Sequence, residues 1–432
     1  MPYFFNLIYG LVLLLLLPWL LFRAATTGRY RRGLKQKLLG SVSSLSGDKP
    51  VIWFHGVSVG EINLLVTVVK AFRQRHPDWH CVISTTTETG MAEARKRFAD
   101  LTVIFYPFDF SWAVKRTLKA LRPRLVVLAE SELWPNFLRI AAGRSIPVVV
   151  INGRMSPRSA RRYRKIAWLA RRLFFAHVSR FAMQSEGYAQ SLRDLGIPAE
   201  KITVTGSVKY DGVLGERDNP QTKKLGEQLG MTANDLIWVS GSTHAPEEEI
   251  VLDVFAKLRN KHAALRLILV PRSADRFDEV ARLVERTNLS FVRKSKLTRL
   301  PHDRPSVILI DTIGDLNAAW GLAHIGFTGG SLDGRRGGQS MIEPAGLGVP
   351  VVFGPHVWNF RDASTRLIEI GGAVKIASAE EMERELLRVL GDPALRQRMG
   401  NAARALVLEQ QGATKRTLDV LDQVVCSTEH KS

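Results

Sequence analysis

Short apolar runs alternate with longer amphipathic stretches along most of this chain of 432 residues. In the first half the runs lie at 51–55, 80–84, 102–106, 125–128, 147–151, 180–183 and 202–205. In the second half they lie at 236–240, 266–270, 290–292, 307–310, 325–328, 350–353 and 373–376. Short apolar strands separated by helical patterns predict βαβ units and therefore parallel sheets.

A polar segment at 213–232 interrupts this alternation and predicts an interdomain linker. The chain is long enough for two domains of ordinary size. We therefore predict an α/β protein with two Rossmann-like domains facing a cleft, at 26–212 and 233–432. Ligands of open parallel sheets bind at the carboxyl ends of the strands, where most of the glycine, histidine and acidic clusters of this chain fall.

The charge balance indicates an anionic partner. Lysine and arginine number 61 against 41 acidic residues, which gives a formal net charge of +20. Nucleic acid, acidic lipid and phosphorylated substrates all fit that charge. The two cysteines, Cys81 and Cys426, form neither a disulfide framework nor a zinc-ligand cluster and favour a reducing compartment.

The N-terminus is almost wholly apolar from residue 3 to residue 22. Basic residues follow it without an acidic residue before Asp48: Arg23, Arg29, Arg31, Arg32, Lys35 and Lys37. A secretory signal carries its positive charge ahead of the apolar stretch, so a cleaved signal is the less favoured alternative. We predict an uncleaved membrane anchor at 1–25, spanning or deeply interfacial, with the remaining chain in the cytoplasm.

A basic amphipathic helix is predicted within 154–174, a region without any acidic residue. Beside a membrane anchor, this charge favours an anionic membrane surface or a phosphorylated lipid acceptor. The alternative is a solvated helix whose charge serves solubility. Nucleic acid is disfavoured, because neither zinc-finger spacing nor a ribonucleoprotein signature is present.

Acidic and basic side chains follow three predicted strands of the first half. Glu61 opens a helix behind the first strand, where it can act as a general base or simply complement the helix dipole. Glu130 and Glu132 follow the fourth strand; they can bind metal, position an acceptor or support a catalytic group, or Glu132 can cap a helix. Lys209 can stabilise a leaving phosphate or simply be a surface lysine.

In the second half, four strand ends carry residues suited to phosphate. They are the segment 241–244 of sequence GSTH, Pro271 with Arg272, the turn 311–315 of sequence DTIGD, and the glycine-rich stretch 326–345. Glycines allow a backbone to approach a ligand, and free amides at a helix start attract phosphate. Together they suggest a site for an activated sugar nucleotide; the alternative is a glycine-rich turn between a strand and a helix.

Taken in order, these motifs resemble the 3-deoxy-D-manno-octulosonic acid (Kdo) transferases of bacterial lipopolysaccharide synthesis. The carriers are HGVSVGE at 55–61, ESELWPN at 130–136, NGR at 152–154, GSVKYD at 206–211, GSTH at 241–244, DTIGDL at 311–316, GGS at 329–331 and GPHVWNF at 354–360. The resemblance implies an inverting glycosyltransferase of GT-B fold that needs neither metal nor cofactor. It implies a CMP-Kdo donor, a lipid A precursor as acceptor and a location at the bacterial inner membrane.

The resemblance also implies roles for individual residues. Glu61 is the general base, and a carboxylate of Glu130 or Glu132, with Lys209, stabilises the transition state. The CMP is held by Pro271, Arg272, Ile313, Gly314, Asp315, Ser340, Met341, Ile342 and Glu343. This chain departs from the family pattern at Ser273 and Gln339, where histidine is usual, and at Ser340, where asparagine is usual.

Two other functions fit parts of the sequence. A non-hydrolysing sugar-nucleotide 2-epimerase shares two Rossmann-like domains but needs no lipid acceptor, so the predicted anchor argues against it. A membrane-tethered, non-enzymatic binding protein would use the charge alone and would not depend on Glu61.

Overall fold

The computed structural model of the chain describes residues 2–27, 33–130, 132–155, 157–213, 216–297 and 304–429. Two compact units divide them: Val213–Gln410 forms one, and the described residues on either side of that segment form the other. Each unit contains a parallel sheet of seven strands.

The first unit is built by alternating strands and helices. Its strands are β1 Val51–His55, β2 His80–Thr85, β3 Thr102–Phe105, β4 Leu125–Ala129, β5 Val148–Gly153, β6 Arg180–Met183 and β7 Ile202–Val204. Its helices before the second unit are α1 Pro2–Thr27, α2 Leu34–Leu39, α3 Val59–Arg75, α4 Glu88–Arg97, α5 Ser111–Leu121, α6 Pro135–Ala142, α7 Pro157–Arg164, α8 Ala167–Leu173 and α9 Glu186–Arg193. The strand order is β3-β2-β1-β4-β5-β6-β7, and every neighbouring pair is parallel.

The central strands are apolar because helices cover both faces of the sheet. Every residue of β1 and β4 is buried. Trp53 belongs to the core on one face, and its neighbour Phe54 belongs to the core on the other. The alternation of side chains along a strand sends consecutive residues to opposite faces, so a strand covered on both sides reads as a continuous apolar run.

The second unit repeats this architecture. Its strands are β8 Leu236–Thr243, β9 Leu265–Pro271, β10 Phe291–Arg293, β11 Val307–Leu309, β12 Ile325–Thr328, β13 Val351–Phe353 and β14 Ala373–Lys375. Its helices are α10 Pro220–Gln228, α11 Glu247–Arg259, α12 Phe277–Glu285, α13 Leu316–Leu322, α14 Ile342–Gly346, α15 Arg361–Glu369, α16 Ala379–Gly391 and α17 Pro393–Gln410. The strand order is β10-β11-β9-β8-β12-β13-β14, again parallel throughout.

The predicted linker at 213–232 is largely a structured part of the second unit. Helix α10 begins at Pro220, and the Asn219 side chain caps it by accepting a hydrogen bond from the Thr222 amide. Leu225 and Leu229 are buried in the core of the second unit. The polar composition of the segment hid this helix, because only one of its faces is apolar.

The C-terminal helix corrects the predicted boundary of the second domain. Helix α18, Ala413–Glu429, belongs to the first unit. Its apolar residues Leu418, Leu421 and Val424 join the core that contains Phe54. Asp211 holds the start of this helix, accepting hydrogen bonds from the backbone amides at 412, at 2.7 Å, and at 414.

Helix α1 carries many apolar side chains at its surface, among them Leu15, which is 80% exposed. Within the residues that the structure describes, no helix combines the length and apolar composition needed to cross a membrane. The spanning anchor expected at 1–25 is therefore not supported by the structure. Arg29, Arg31 and Arg32, on which the predicted orientation partly rests, lie outside the described residues.

Candidate active site

Glu61 lies in the first turn of α3, just behind the carboxyl end of β1. Its Oε2 accepts a hydrogen bond of 2.5 Å from the Val57 amide, and its Oε1 accepts one of 3.4 Å from the Ser58 hydroxyl. Burial raises the pKa of Glu61 to about 7; the Val57 amide opposes the rise, and the charges of Glu130 and Glu132 add to it. A carboxyl with a pKa near neutrality is suited to accept a proton from a substrate.

His55, at the other end of the same motif, is not a competing base. It is fully buried, and its ring stacks on Tyr106 with the ring centroids 3.9 Å apart. Its Nδ1 lies 2.9 Å from the Ser84 hydroxyl. Burial lowers the pKa of His55 to about 3, so the imidazole stays neutral and Glu61 is the group of this motif that titrates near pH 7.

Glu130 and Glu132 follow β4, the strand that pairs with β1. Glu130 has a φ of 61°, a left-handed conformation that costs free energy for a residue with a Cβ. The Glu132 carboxylate accepts a hydrogen bond of 2.7 Å from Trp134 Nε1. Since both carboxylates raise the pKa of Glu61, the three acidic groups belong to one electrostatic site.

The alternative in which Glu132 caps a helix does not hold. The cap of α6 comes instead from Asp109, whose carboxylate accepts hydrogen bonds from the backbone amides of Asn136, at 2.9 Å, and Phe137, at 2.7 Å. An N-cap side chain accepts hydrogen bonds from the first backbone amides of a helix in this way. Glu132 is therefore left to interact with Trp134 and with the charge of Glu61.

Lys209 lies in a short 3-10 turn behind β7, with its Nζ 3.6 Å from Glu130 Oε1. Asn152, near the end of β5, ties this turn to the sheet because its Oδ1 accepts a hydrogen bond of 3.2 Å from the Val208 amide. Its own carbonyl accepts one of 2.8 Å from Gln184 Nε2, and its φ of 53° is a conformation that asparagine tolerates. No role was predicted for Asn152 from the sequence. An asparagine followed by a glycine at the end of a strand was the signal that could have indicated it.

In the second unit a buried carboxylate organises the glycine-rich loop. Glu247, the first residue of α11, is fully buried. It accepts hydrogen bonds from the amides of Gly330 at 2.7 Å, Ser331 at 2.9 Å, Leu332 at 3.1 Å and His244 at 3.0 Å. Burial raises the pKa of Glu247, and the four amides oppose that rise. The role of Glu247 was not predicted from the sequence, because the loop amides come from residues far along the chain.

His244 lies among positive charges at the carboxyl end of β8. Its Nε2 is 3.5 Å from the Nε2 of Gln339 in the glycine-rich loop. Burial, together with the guanidinium groups of Arg336, Arg276 and Arg272, lowers the pKa of His244 to about 4, and the charge of Asp333 opposes that fall. Arg276 is already paired with Glu248 and Glu279, and Arg336 with Asp333. The Arg272 guanidinium is therefore the group of the three that is suited to bind a phosphate at this edge of the second sheet.

Arg272, Ser340 and Glu343 form a second group at the same edge. Arg272 directly follows β9, and Glu343 lies in the first turn of α14. Burial raises the pKa of Glu343, whereas a hydrogen bond with Ser340 and the charge of Arg272 act to lower it. These three predicted donor-site residues are brought together.

Three further predicted donor-site residues, Pro271, Met341 and Ile342, have buried side chains. Pro271 ends β9, and the other two lie at the start of α14. Because these side chains are packed in the core, only the backbone groups of the three residues are suited to face a ligand.

The remaining predicted residues form a separate turn behind β11. Ile313 is 83% exposed, and Gly314 has a φ of 103°. Asp315 pairs with Lys294 at 2.9 Å. Among the described residues, no hydrogen bond or ion pair joins this turn to Arg272.

No group of three or more histidine, cysteine, aspartate or glutamate side chains in the described part of the chain is arranged to hold a metal ion. For the metal-binding alternative, Glu130 and Glu132 therefore have no third ligand of these types among the described residues.

Comparison with known proteins identifies the family. A family model described as 3-deoxy-D-manno-octulosonic-acid transferase (kdotransferase) matches residues 29–212. A 3-deoxy-D-manno-octulosonic acid transferase of Haemophilus influenzae is 34% identical over 397 residues, which cover 91% of either chain. This chain belongs to the 3-deoxy-D-manno-octulosonic acid transferase family. It is therefore an enzyme of a glycosyltransferase family, as the motifs predicted.

Solved structures confirm the fold class. A putative UDP-N-acetylglucosamine 2-epimerase of Listeria monocytogenes aligns with a TM-score of 0.57 and 14% identity, over 87% of this chain and 96% of that one. The calicheamicin glycosyltransferase CalG4 aligns with a TM-score of 0.51 and 14% identity, over 88% of this chain and 99% of that one. At such identity the likeness concerns the fold alone. The transferase thus has two parallel-sheet α/β domains like those of GT-B glycosyltransferases.

The departures from the family pattern lie in an ordered part of the transferase. The Gln339 amide donates a hydrogen bond of 3.0 Å to the Gly329 carbonyl, and the Gly338 amide donates one of 2.8 Å to the Gly330 carbonyl. Ser340 hydrogen-bonds the Glu343 side chain. The substituted positions therefore keep the loop closed on itself and on α14.

Proposed function

We propose that this enzyme moves Kdo from CMP-Kdo to a lipid A precursor such as lipid IVA, with inversion at the anomeric carbon. Family membership supports the sugar, and the environment of Glu61 is the observation that supports the mechanism. A buried carboxyl with a pKa near 7, beside two further carboxylates and a lysine, has the properties of a general base.

In the proposed reaction, Glu61 takes the proton from an acceptor hydroxyl as the hydroxyl oxygen bonds to the anomeric carbon of Kdo. The bond from that carbon to the phosphate oxygen breaks, and CMP leaves with the electron pair. Glu130 and Lys209, whose side chains lie 3.6 Å apart, balance the charge that develops in this step.

For the donor, we propose that the second domain binds CMP through Arg272, Ser340 and Glu343, together with backbone groups of Pro271, Met341 and Ile342. The turn containing Ile313, Gly314 and Asp315 is a further proposed contact. The Arg272 guanidinium, whose charge acts on both His244 and Glu343, supports an anionic ligand at this edge.

For the acceptor, we propose that the enzyme works on the cytoplasmic face of the inner membrane. The exposed apolar side chains of α1 support an interfacial attachment. Helices α7 and α8 add a basic surface, on which Trp168 is 64% exposed and the Arg172 guanidinium lies 5.5 Å from its ring centroid. Anionic lipids and a phosphorylated acceptor would both be attracted to it.

The test is an assay of the purified full-length enzyme with CMP-Kdo and a tetra-acylated lipid A precursor, scored by product mass. We expect the mass of the acceptor to rise by one or more Kdo units, and the size of the increase counts the sugars. Folded enzyme that adds no mass would overturn the donor or acceptor assignment. Epimerisation of a sugar nucleotide without acceptor would support the isomerase alternative instead.

A further inference from the structure

Helix α1 is hydrogen-bonded to the catalytic domain through two polar residues in its otherwise apolar first half. The Asn6 side chain donates a hydrogen bond of 2.7 Å to the Ser111 hydroxyl and accepts one of 2.9 Å from the Ser111 amide. Ser111 is the first residue of α5, and the residue before it, Phe110, has no side-chain acceptor. Asn6 therefore caps α5 from a distance of more than a hundred residues along the chain.

Tyr9 reaches the neighbouring helix in the same way. Its hydroxyl donates a hydrogen bond of 3.0 Å to Asp109 Oδ2, an atom that also accepts the Asn136 amide at 2.9 Å. The Asn136 side chain in turn donates to Asn6 Oδ1 at 3.2 Å. The starts of α5 and α6 and the first half of α1 thus share one hydrogen-bond network, which we call the α1 latch: Asn6, Tyr9, Asp109, Ser111 and Asn136.

The α1 latch continues towards the acidic residues of the candidate active site. The Tyr9 ring meets the Trp134 ring edge-on, with centroids 6.4 Å apart and planes at 76°. Trp134 precedes α6, and its Nε1 donates to the Glu132 carboxylate at 2.7 Å. Glu132 is one of the two carboxylates whose charge acts on Glu61. A continuous series of contacts therefore joins α1 to the electrostatic surroundings of the base.

Apolar side chains beside Asn6 and Tyr9 on α1 are exposed. Leu7 and Leu11, on the same helix, have side chains that are 62% and 52% exposed. An apolar tether would not need partly buried hydrogen bonds to the domain, because apolar contact with lipid suffices to attach it. The polar residues Asn6 and Tyr9 serve contacts with the domain itself.

We propose that Asn6 and Tyr9 are positioning residues, which fix the turn bearing Glu130, Glu132 and Trp134 by docking α1 against the starts of α5 and α6. Helix α1 is then part of the catalytic domain as well as its proposed membrane attachment. This inference rests on the proposed function only for its kinetic consequences.

The test uses the full-length enzyme in detergent micelles, so that binding to a membrane is not limiting. Asn6→Ala and Tyr9→Phe remove latch hydrogen bonds, and Tyr188→Phe, at a half-buried position of the same domain outside the latch, is the matched control. We expect both latch variants to lower kcat about tenfold, while the dissociation constant of CMP stays at the wild-type value. The control keeps the wild-type kcat.

A pH profile separates positioning from a general loss of folding. In Tyr9→Phe the turn is no longer held in place, so Glu130 and Glu132 repel the negative charge of Glu61 less. The pKa of Glu61 then falls, and the pH midpoint at which kcat/KM rises shifts downward with it. Trp134→Phe, which removes the hydrogen bond to Glu132 and keeps an aromatic ring beside Tyr9, is expected to shift it in the same direction. Wild-type kcat and midpoint in both latch variants would overturn the proposal.

Hydrogen exchange supplies a readout that does not depend on the reaction. We expect faster amide exchange across 130–138 in Asn6→Ala and Tyr9→Phe, and no change in Tyr188→Phe. If the wild-type enzyme transfers no Kdo, the proposed function fails. The amide exchange rates then test by themselves whether the α1 latch holds the turn in place. Unchanged exchange in both latch variants overturns it.

Discussion

At the scale of single residues, the environment of Glu61 sets the expected pH dependence of the reaction. A base must be deprotonated to act, and burial raises the pKa of Glu61 to about 7. We therefore expect kcat/KM to rise between about pH 6 and pH 8 and then level off. Glu61→Gln is expected to lower kcat by a factor of about 10² to 10⁴ and to remove that rise.

Steady-state rates across this pH range provide the measurement. Glu186→Gln is the matched control, since Glu186 also lies in the first turn of a helix, α9, but pairs with Arg193 at the surface. A Glu61→Gln variant that retains wild-type activity would exclude Glu61 as the base.

Glu61 is also expected to make the folded protein less stable as the pH rises. The pKa of Glu61 is raised in the folded protein, so its favourable contribution is fully present below the unfolded pKa and is lost as the pH rises through about 7. Glu61→Gln should therefore raise the melting temperature at pH 8 relative to wild type, with a smaller difference at pH 5. Thermal unfolding at the two pH values measures it, and equal differences at both would contradict the raised pKa.

Glu247 is a positioning residue for the glycine-rich loop. Its carboxylate accepts four backbone amides in a fully buried setting, and the amide of a glutamine offers only one oxygen to them. We expect Glu247→Gln to lower the free energy of unfolding by about 2–3 kcal/mol, because buried amides lose their acceptor. It should also weaken CMP binding about tenfold.

Chemical denaturation and calorimetric titration with CMP test this expectation. Glu249→Gln, an exposed position in the same first turn of α11, is the control and should behave as wild type. Wild-type CMP binding in Glu247→Gln would mean that the loop does not contact the nucleotide.

At the scale of elements, α18 depends on a cap supplied from a distant part of the chain. The Asp211 carboxylate accepts the amides at 412 and 414, at the start of this helix. Loss of an N-cap side chain costs about 1–2 kcal/mol, so Asp211→Ala should lower the free energy of unfolding of the first domain by that amount.

Urea unfolding is the measurement, and Asp218→Ala is the control, because Asp218 forms only an exposed ion pair with Lys223. Equal stability of the two variants would show that α18 is held by its apolar contacts alone.

At the scale of the whole molecule, the net charge of +20 bears on membrane attachment. Arg171 and Arg172 lie in the last turn of α8, beside the exposed Trp168. Reversing both charges, in Arg171→Glu with Arg172→Glu, should weaken binding to vesicles that contain phosphatidylglycerol by about tenfold or more. Each basic residue near an anionic surface contributes about 1 kcal/mol.

Vesicle sedimentation at low and at physiological salt measures this binding. The control is Arg384→Glu with Arg388→Glu, which makes the same change in net charge on α16 of the second domain. Equal loss in the two double variants would mean that net charge, and not the α7–α8 surface, governs attachment.

Local patterns in the sequence were sufficient for the sheets and for the strand-end positions of the site. Glu61, Glu130 and Lys209 follow β1, β4 and β7, as the apolar runs predicted. Parallel strands bring their carboxyl ends to one edge, so residues in the segments that follow the strands could be expected to gather there. The helix α10, by contrast, was missed because its single apolar face is short and lies within a polar segment.

What the sequence by itself determined is the fold class, the family and the candidate base. Each rests on features read locally: apolar runs of strand length, helical periodicity, and motifs of contiguous residues. What only the tertiary structure decided is which groups satisfy one another over long separations. Asp211 with α18, Glu247 with the glycine-rich loop, and Asn6 with α5 are all pairings of a side chain with distant backbone amides. Such amides carry no side-chain signature, so their acceptors become visible only once the chain has folded.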